Sequence, residues 1–339
     1  MIDEQKLSNY LEPHIDGFKG PISLEKFAGG QSNPTFMITA KSGKYVLRQK
    51  PPGMLLKSAH AVDREYRVTK ALAGTEVPVA TPLHLCTDDN IIGSWFYVMD
   101  FVEGRIFWDP SLPELDNSER TAIYHEMNRV LAAIHSVDLI AQGLLEFGKP
   151  GNYFERQIGR WTKQYKASET EKIAPMEQLM DWVSNNIPED DGRVSLIHGD
   201  FRLDNFIFHP TRPEIIAVVD WELSTLGHPL ADLAYQCMQW RLPHNARIRG
   251  LDGFDRKANG LPTEEEYIKE YTKRMGWGEM DHWPFYLAFS FFRLAAILQG
   301  VMKRSLDGNA SNAKAHEMGK MVSPLAEKAI SILKEQQKI

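Results

Sequence analysis

Between residues 22 and 102 the chain runs in short apolar stretches broken by glycine, proline and charged residues. This pattern predicts strands over Ile22–Ala28, Thr35–Ala40, Lys44–Gln49, Pro82–Thr87 and Ser94–Val102. One helical interval, Ala59–Leu72, interrupts them, with Ala73-Gly74 after it and Val77-Pro78 as a stop. Beyond Gly104 the period becomes helical: Ser118–Val137, Tyr153–Lys166, Ala174–Asn186, Pro229–Arg241, Thr263–Met275, Trp283–Ser305 and Ala313–Gln337. Thr263 and Glu266 have the spacing of a capping box. Two apolar runs, Asn205–Phe208 and Glu214–Val219, flank His209–Pro213 and read as a hairpin inside the helical region. The expected fold is α+β and bilobal. Residues 1–103 form a small antiparallel-sheet lobe with one helix, residues 104–339 a larger, mostly helical lobe, and a cleft separates them.

The stretch Trp283–Met302 is apolar enough to suggest a membrane span, but Arg293 stands at its middle and Gln299 near its end. Phe285, Phe289, Phe292 and Ala296 fall at i, i+4, i+7 and i+11, the stripe of a helix buried in a protein core. At 339 residues and 43% hydrophobic content the chain can bury a substantial core. A net charge of −6 argues against nucleic acid as a partner, which needs a basic surface. The two cysteines, Cys86 and Cys237, are too few for a disulfide framework and suit a reducing compartment as buried thiols. Met1–Gln5 lacks the basic and apolar regions of a secretory signal, so a cytoplasmic protein with no membrane partner is expected. The eleven histidines show no HExxH or Cys/His zinc spacing, and His135 and His198 read as packed or backbone-bonded residues. Nothing in the sequence fixes an oligomeric state.

The chemistry is concentrated in His198-Gly199-Asp200-Phe201-Arg202-Leu203-Asp204-Asn205 and, after the predicted hairpin, in Asp220-Trp221. An Asp opening such a loop can accept a proton from a substrate hydroxyl, while Asn205 and Asp220 can hold magnesium. Mg²⁺ prefers oxygen ligands and takes only one or two carboxylates besides phosphate oxygens, so one Asn and one Asp suffice. The hairpin returns the chain beside itself and brings Asp220 back to Asn205. Upstream, Ala28-Gly29-Gly30-Gln31-Ser32-Asn33 lies between the first two predicted strands, where glycines let backbone N–H groups approach phosphates. No Walker A and no G-x-G-x-x-G pattern is present, which removes the P-loop and dinucleotide readings. Arg48 on the third strand and Glu65 on the helix occupy the places of a phosphate-gripping cation and the acid that holds it.

These features together resemble the aminoglycoside phosphotransferase and choline kinase superfamily, a protein-kinase-like fold, over nearly the whole chain. The matching motifs are His198-Gly199-Asp200 through Asn205, Asp220-Trp221-Glu222 and Asp232-Leu233-Ala234. The resemblance is closer to the kinase-like domain of acyl-CoA dehydrogenase family members ten and eleven and bacterial stand-alone relatives. It is carried by Val46-Leu47-Arg48 with Pro51-Pro52-Gly53, by His60 to Tyr66, by Trp221 to Leu230 and by Gln299-Gly300-Val301. It implies an ATP- and Mg-dependent phosphotransferase with an alcohol group as acceptor. Asp200 becomes the base, Asn205 and Asp220 the metal ligands, and Arg48 the phosphate grip, oriented by Glu65. Asp100 and Val102 would offer backbone hydrogen bonds to adenine, with Met99 behind the base, Val46 above it and Ile207 below. Gly29, Gly30, Ser32 and Asn33 would line the phosphates.

Two departures stand out. Arg48 takes the place of a lysine usual in relatives, and His228 replaces an acid common in aminoglycoside kinases. Arg202, two residues after the base, is a candidate for meeting the transferring phosphoryl group, its alternative being a pair with Asp204. Asp232 is expected to bond the catalytic loop. Arg293 is expected in a buried pair with a carboxylate, the alternative being contact with an anionic substrate. The resemblance suggests a hydroxy acid or hydroxyacyl-CoA as acceptor, and Arg241, Arg247 and Arg249 hint at an anion. An aminoglycoside or amino-alcohol kinase, and a catalytically inactive ATP-binding regulatory module, are the alternatives.

Overall fold

The computed structural model describes residues 2–27, 33–51, 61–245, 248–307 and 318–336. The chain forms two compact units. The first comprises Met1–Phe107, Val137–Leu144 and Arg202–Ser224, and the second comprises Trp108–Ser136, Leu145–Phe201 and Thr225–Ile339. The hairpin with Asn205 and Asp220 thus belongs to the first unit.

All five predicted strands form, as β1 (Ile22–Lys26), β2 (Thr35–Ala40), β3 (Gly43–Gln49), β4 (Pro82–Cys86) and β5 (Phe96–Asp100). They make one antiparallel sheet in the order β1-β2-β3-β5-β4. Alternation along a strand gives its two faces different tasks. Leu47 on β3 lies opposite Val98 on β5, and both enter a buried cluster with Ile38, Phe96, Leu7 and Leu11. Each such side chain contributes about 1.5–3 kcal/mol on burial. The other face carries Val46 opposite Met99 and Arg48 opposite Tyr97.

Three helices accompany the sheet where one was expected: α1 (Glu4–Leu11), α2 (Val62–Leu72) and the single turn α3 (Asp89–Ile92). Helix α1 buries only Leu7, Ser8 and Leu11, so its eight residues are too few for a visible period; Asp3 caps it by accepting from the Lys6 amide. The hairpin strands Phe206–Phe208 and Ile215–Val218 pair antiparallel as expected. Arg105 and Phe208 exchange two backbone hydrogen bonds of 2.8 Å, which ties the segment after β5 to this hairpin. A Cβ at Gly104 would sit 2.2 Å from the Phe208 carbonyl oxygen and 2.6 Å from Ile207 Cγ2, so the approach requires glycine.

The second unit is mostly helical: α4 (Asn117–His135), α5 (Tyr153–Ser168), α6 (Ala174–Asn185), α7 (Leu230–Trp240), α8 (Glu264–Met275), α9 (Trp283–Leu306) and α10 (Val322–Glu335). Helix α9 packs against α5, α6, α7 and α10. Its stripe of Phe285, Phe289, Phe292 and Ala296 is buried, so this apolar helix is core. Thr263 and Glu266 complete the capping box of α8. Of the predicted last helix, Met318 and Gly319 are helical, a turn at Lys320 and Met321 interrupts it, and α10 follows from Val322; residues 313–317 and 337 of that prediction lie outside the described residues. The antiparallel pair Ser195–Ile197 and Thr225–Gly227 was not expected, because three residues carry no readable alternation.

Candidate active site

In the first unit the sheet face opposite the core gathers the charged groups. Arg48 places Nε 2.7 Å from Glu65 Oε2 and Nη2 2.6 Å from Asp220 Oδ1, with Glu222 Oε2 at 3.8 Å. The planar fork of arginine serves two acids at once. Glu65, on the first turn of α2 with its side chain 1% exposed, also accepts from Asn33 Nδ2 at 2.7 Å and from the Tyr97 hydroxyl at 3.3 Å. Burial pushes the Glu65 carboxyl up to about 7; the Arg48 guanidinium pulls it back, and Asp220 and Glu222 add to the rise. Burial also opposes the charge of Arg48, but Glu65 and then Asp220 outweigh it and hold the guanidinium above its ordinary range.

The hairpin sets the backbone around the two predicted metal ligands. The Val219 amide donates to the Asn205 carbonyl at 2.9 Å, so the residues preceding and carrying these ligands are bonded directly. Asn205 is buried at the end of a 3-10 turn, Leu203–Asn205. Asp220 has φ of 65°, a left-handed conformation that is uncommon for residues other than glycine and least so for Asn and Asp. Behind it, Trp221 Nε1 donates to the Val218 carbonyl at 2.8 Å and the Ser224 hydroxyl to the Trp221 carbonyl at 2.7 Å. Val46, Met99, Val102 and Ile207 belong to the same unit, and Gly104 packs on Ile207. The Asp100 amide donates to the Thr81 carbonyl at 3.0 Å.

In the second unit Asp200 follows a loop whose backbone is bonded from several sides. Asp232, on the first turn of α7, accepts from the amides of His198 (2.6 Å) and Gly199 (2.9 Å). His198 Nδ1 accepts from the Asp200 amide at 3.2 Å, which leaves the ring proton on Nε2 when the imidazole is neutral. Gly199 has φ of 85°, a turn suited to glycine. Behind Asp232, His135 Nε2 stands 3.3 Å from Oδ2 and His135 Nδ1 2.6 Å from the Tyr271 hydroxyl. Burial alone would raise the Asp232 carboxyl, but bonding to His135, the neighbouring imidazoles and the Gly199 amide keep it below the ordinary range. Asp232, His135 and His198 thus have the supporting contacts expected of them.

Other expectations need correction. Asn33 is fully buried with its amide on Glu65, so it orients that acid rather than facing phosphate. Gly29, Gly30 and Ser32 lie outside the described residues, as does Arg247. Arg202 pairs with Asp204 at 2.6 Å, the alternative given for it. Arg241 grips Glu264 through two bonds of 2.8 and 2.7 Å, and Arg249 pairs with Asp109, so neither is an unoccupied anion receptor. Among the described residues Arg293 meets no carboxylate; it donates to a backbone carbonyl. Sequence reading missed Arg256, which lies over the Trp240 ring at 4.7 Å with Nε and Nη2 buried and, among the described residues, lacking hydrogen-bond partners. It also missed Glu222 as the third acid near Arg48, though the Asp220-Trp221-Glu222 spacing offered a signal. A cavity of about 290 Å³ in the second unit, lined by Glu155, Glu189, Asp190, Arg193, His228 and Tyr286 among others, contains none of the predicted catalytic residues.

This fold and donor set define a kinase-type phosphotransferase of small molecules. The model of the phosphotransferase enzyme family matches residues 23–267, and the chain belongs to that family. It is 52% identical to mouse acyl-CoA dehydrogenase family member 10 over 97% of its own length but 31% of that protein, and 41% identical to human family member 11 over 98% of its own length and 43% of that protein. The chain therefore spans less than half the length of these relatives. A crystal structure from Ralstonia eutropha, named as a candidate aminoglycoside phosphotransferase, superposes with a TM-score of 0.90 at 52% identity, covering 99% of both chains. At 15% identity, and so for the fold alone, a ternary complex of an aminoglycoside phosphotransferase with ADP and hygromycin B superposes with a TM-score of 0.62 over 96% of this chain and 98% of that one.

The fit of magnesium to this site can be judged from its donors. Among the described residues no three His, Cys, Asp or Glu side chains form a metal site by themselves. An ion that takes most of its ligands from phosphates and water needs no such cage. The backbone bond from Val219 to Asn205, and the surplus of carboxylates around Arg48, suit a cation held by one amide oxygen and one carboxylate.

Proposed function

We propose that the chain transfers the γ-phosphoryl group of ATP, bound with Mg²⁺, to a hydroxyl group of a small molecule. The observation that carries this is the double pairing of Arg48: one guanidinium joins the helix acid Glu65 to the hairpin acid Asp220. That is the arrangement needed to hold phosphate oxygens beside a metal-binding carboxylate. Asn205 and Asp220 would hold Mg²⁺, which neutralises phosphate charge when bound. Val46, Met99, Val102 and Ile207 supply an apolar surface for the base. Asp200 accepts the proton of the acceptor hydroxyl as its oxygen bonds to phosphorus, and the bond to the bridging oxygen breaks to release ADP. The backbone bonds from Asp232 and His198 hold Asp200 in place before substrate arrives.

For the acceptor, a hydroxy acid or hydroxyacyl-CoA is favoured by the relatives named as acyl-CoA dehydrogenases, since phosphate leaves more readily than hydroxide and a kinase beside such an enzyme prepares a hydroxyl for removal. The 52% identity to the Ralstonia eutropha chain named as a candidate aminoglycoside phosphotransferase favours the second reading, an amino-alcohol or aminoglycoside acceptor. ATP consumption measured with Mg²⁺ against hydroxy acids, hydroxyacyl-CoAs, amino alcohols and aminoglycosides separates the two. Turnover confined to the amino compounds would remove the acyl reading, and nucleotide binding without transfer to any of them would point to a regulatory module.

A further inference from the structure

We infer that Arg293 of α9 is a positioning residue for Asp200, fixing the peptide that precedes it. This rests on the reading of Asp200 as the base. Arg293 is 5% exposed, and its Nη2 donates to the Gly199 carbonyl at 2.6 Å. The same peptide group has its N–H, that of Asp200, bonded to His198 Nδ1. Both ends of the Gly199–Asp200 peptide are therefore held, while Asp232 holds the two amides before it. Glycine at position 199 leaves the backbone with more conformational choices than any other residue, so without such bonds the peptide could rotate.

The guanidinium is itself confined. Its centre lies 5.9 Å from the Trp161 ring centroid and 5.4 Å from that of Tyr235, within cation–π range of both. Trp161 comes from α5 and Tyr235 from α7, so three helices meet at this guanidinium. Burying a guanidinium to satisfy a single carbonyl is expensive: among the described residues its Nε has no hydrogen-bond partner and no carboxylate pairs with it. A purely structural core position is filled at lower cost by methionine or leucine. The charge has a use where it stands, because it directs the carbonyl dipole of the residue adjoining the base and lends positive potential to a loop that carries a carboxylate. A lysine cannot reproduce this, since its ammonium is a point charge without the delocalised fork whose centre lies within cation–π range of both Trp161 and Tyr235.

The test compares Arg293→Met, Arg293→Lys and Asp200→Asn in the full chain, using Mg·ATP with water as acceptor for turnover and Mg·AMP-PNP for affinity. Hydrogen exchange of the peptide spanning residues 196–204 reads the loop directly. Arg293→Met is expected to speed exchange at that peptide and lower turnover by about 10- to 100-fold, with the affinity for Mg·AMP-PNP unchanged. Arg293→Lys, the variant to use should Arg293→Met not fold, is expected to show the same two changes to a smaller degree. Unchanged exchange and turnover in the folded variant overturn the inference, as does a lower melting temperature with unchanged turnover per folded molecule. If Asp200→Asn turns over at the wild-type rate, the base assignment falls, while the exchange measurement still decides whether Arg293 holds the loop.

Discussion

Glu65→Gln tests the electrostatics of the first unit most directly, because the change keeps the shape and removes only the charge. Burial pushes the Glu65 carboxyl up to about 7 even beside Arg48, against an ordinary value near 4.5. A carboxyl raised on folding contributes stability that is fully present below about pH 4.5 and is lost as pH rises through about 7. A shift of this size corresponds to on the order of 3 kcal/mol. A glutamine side chain does not titrate, so the wild type should lose most of that amount relative to the variant between pH 5 and pH 8. An offset of about 1–2 kcal/mol against glutamine is also expected, since its NH₂ must face one of the donors from Asn33, Tyr97 or Arg48. The variant should therefore be the less stable protein at pH 5 and the equal or more stable one at pH 8. Urea unfolding followed by circular dichroism at four pH values, with hydrogen exchange of α2 to assign the transition to the first unit, measures the slope. A difference that stays flat with pH, or a wild type that gains on the variant as pH rises, would refute the claim that burial outweighs the attraction of Arg48.

Four further outcomes are expected. Asp200→Asn should lower phosphoryl transfer by roughly 10² to 10⁴ with nucleotide affinity unchanged, measured by ADP release at saturating ATP. Arg48→Lys should weaken Mg·AMP-PNP about 10-fold by calorimetry, because one ammonium replaces a fork that spans Glu65 and Asp220. Gly104→Ala should cost about 1–3 kcal/mol in denaturant titration, since the new methyl meets the Phe208 carbonyl. Asp232→Asn should cost about 3 kcal/mol and loosen hydrogen exchange at His198 and Gly199, whose amides the carboxylate now holds. Since Asp232 is held below the ordinary carboxylate range, its contribution in the wild type is present at neutral pH and lost as pH falls through its folded value.

The elements that were legible in the sequence share one property: their signal is local and repeated. The five strands around Arg48 and the stripe from Phe285 to Ala296 each repeat an apolar position often enough to fix a period, and the structure forms them with ends shifted by a few residues. Helix α1 and the pair Ser195–Ile197 with Thr225–Gly227 have too few residues to repeat anything. The candidate site divides along the same line. Asp200, Asn205 and Asp220 sit in one short motif and one hairpin, so their spacing could be read. Partner choice among charged groups could not, because it is settled by residues far apart in the chain. Asn33 reaches Glu65, Arg249 reaches Asp109, and Arg293 reaches Gly199 across long separations. Each pairing satisfies a buried or half-buried charge that would otherwise be costly, and several partners could have done so for each. That is why an arginine count after α7 suggested an anion site which the structure assigns instead to Glu264 and Asp109, while Arg256, unremarkable in sequence, is the one whose Nε and Nη2 are left without partners among the described residues of that segment.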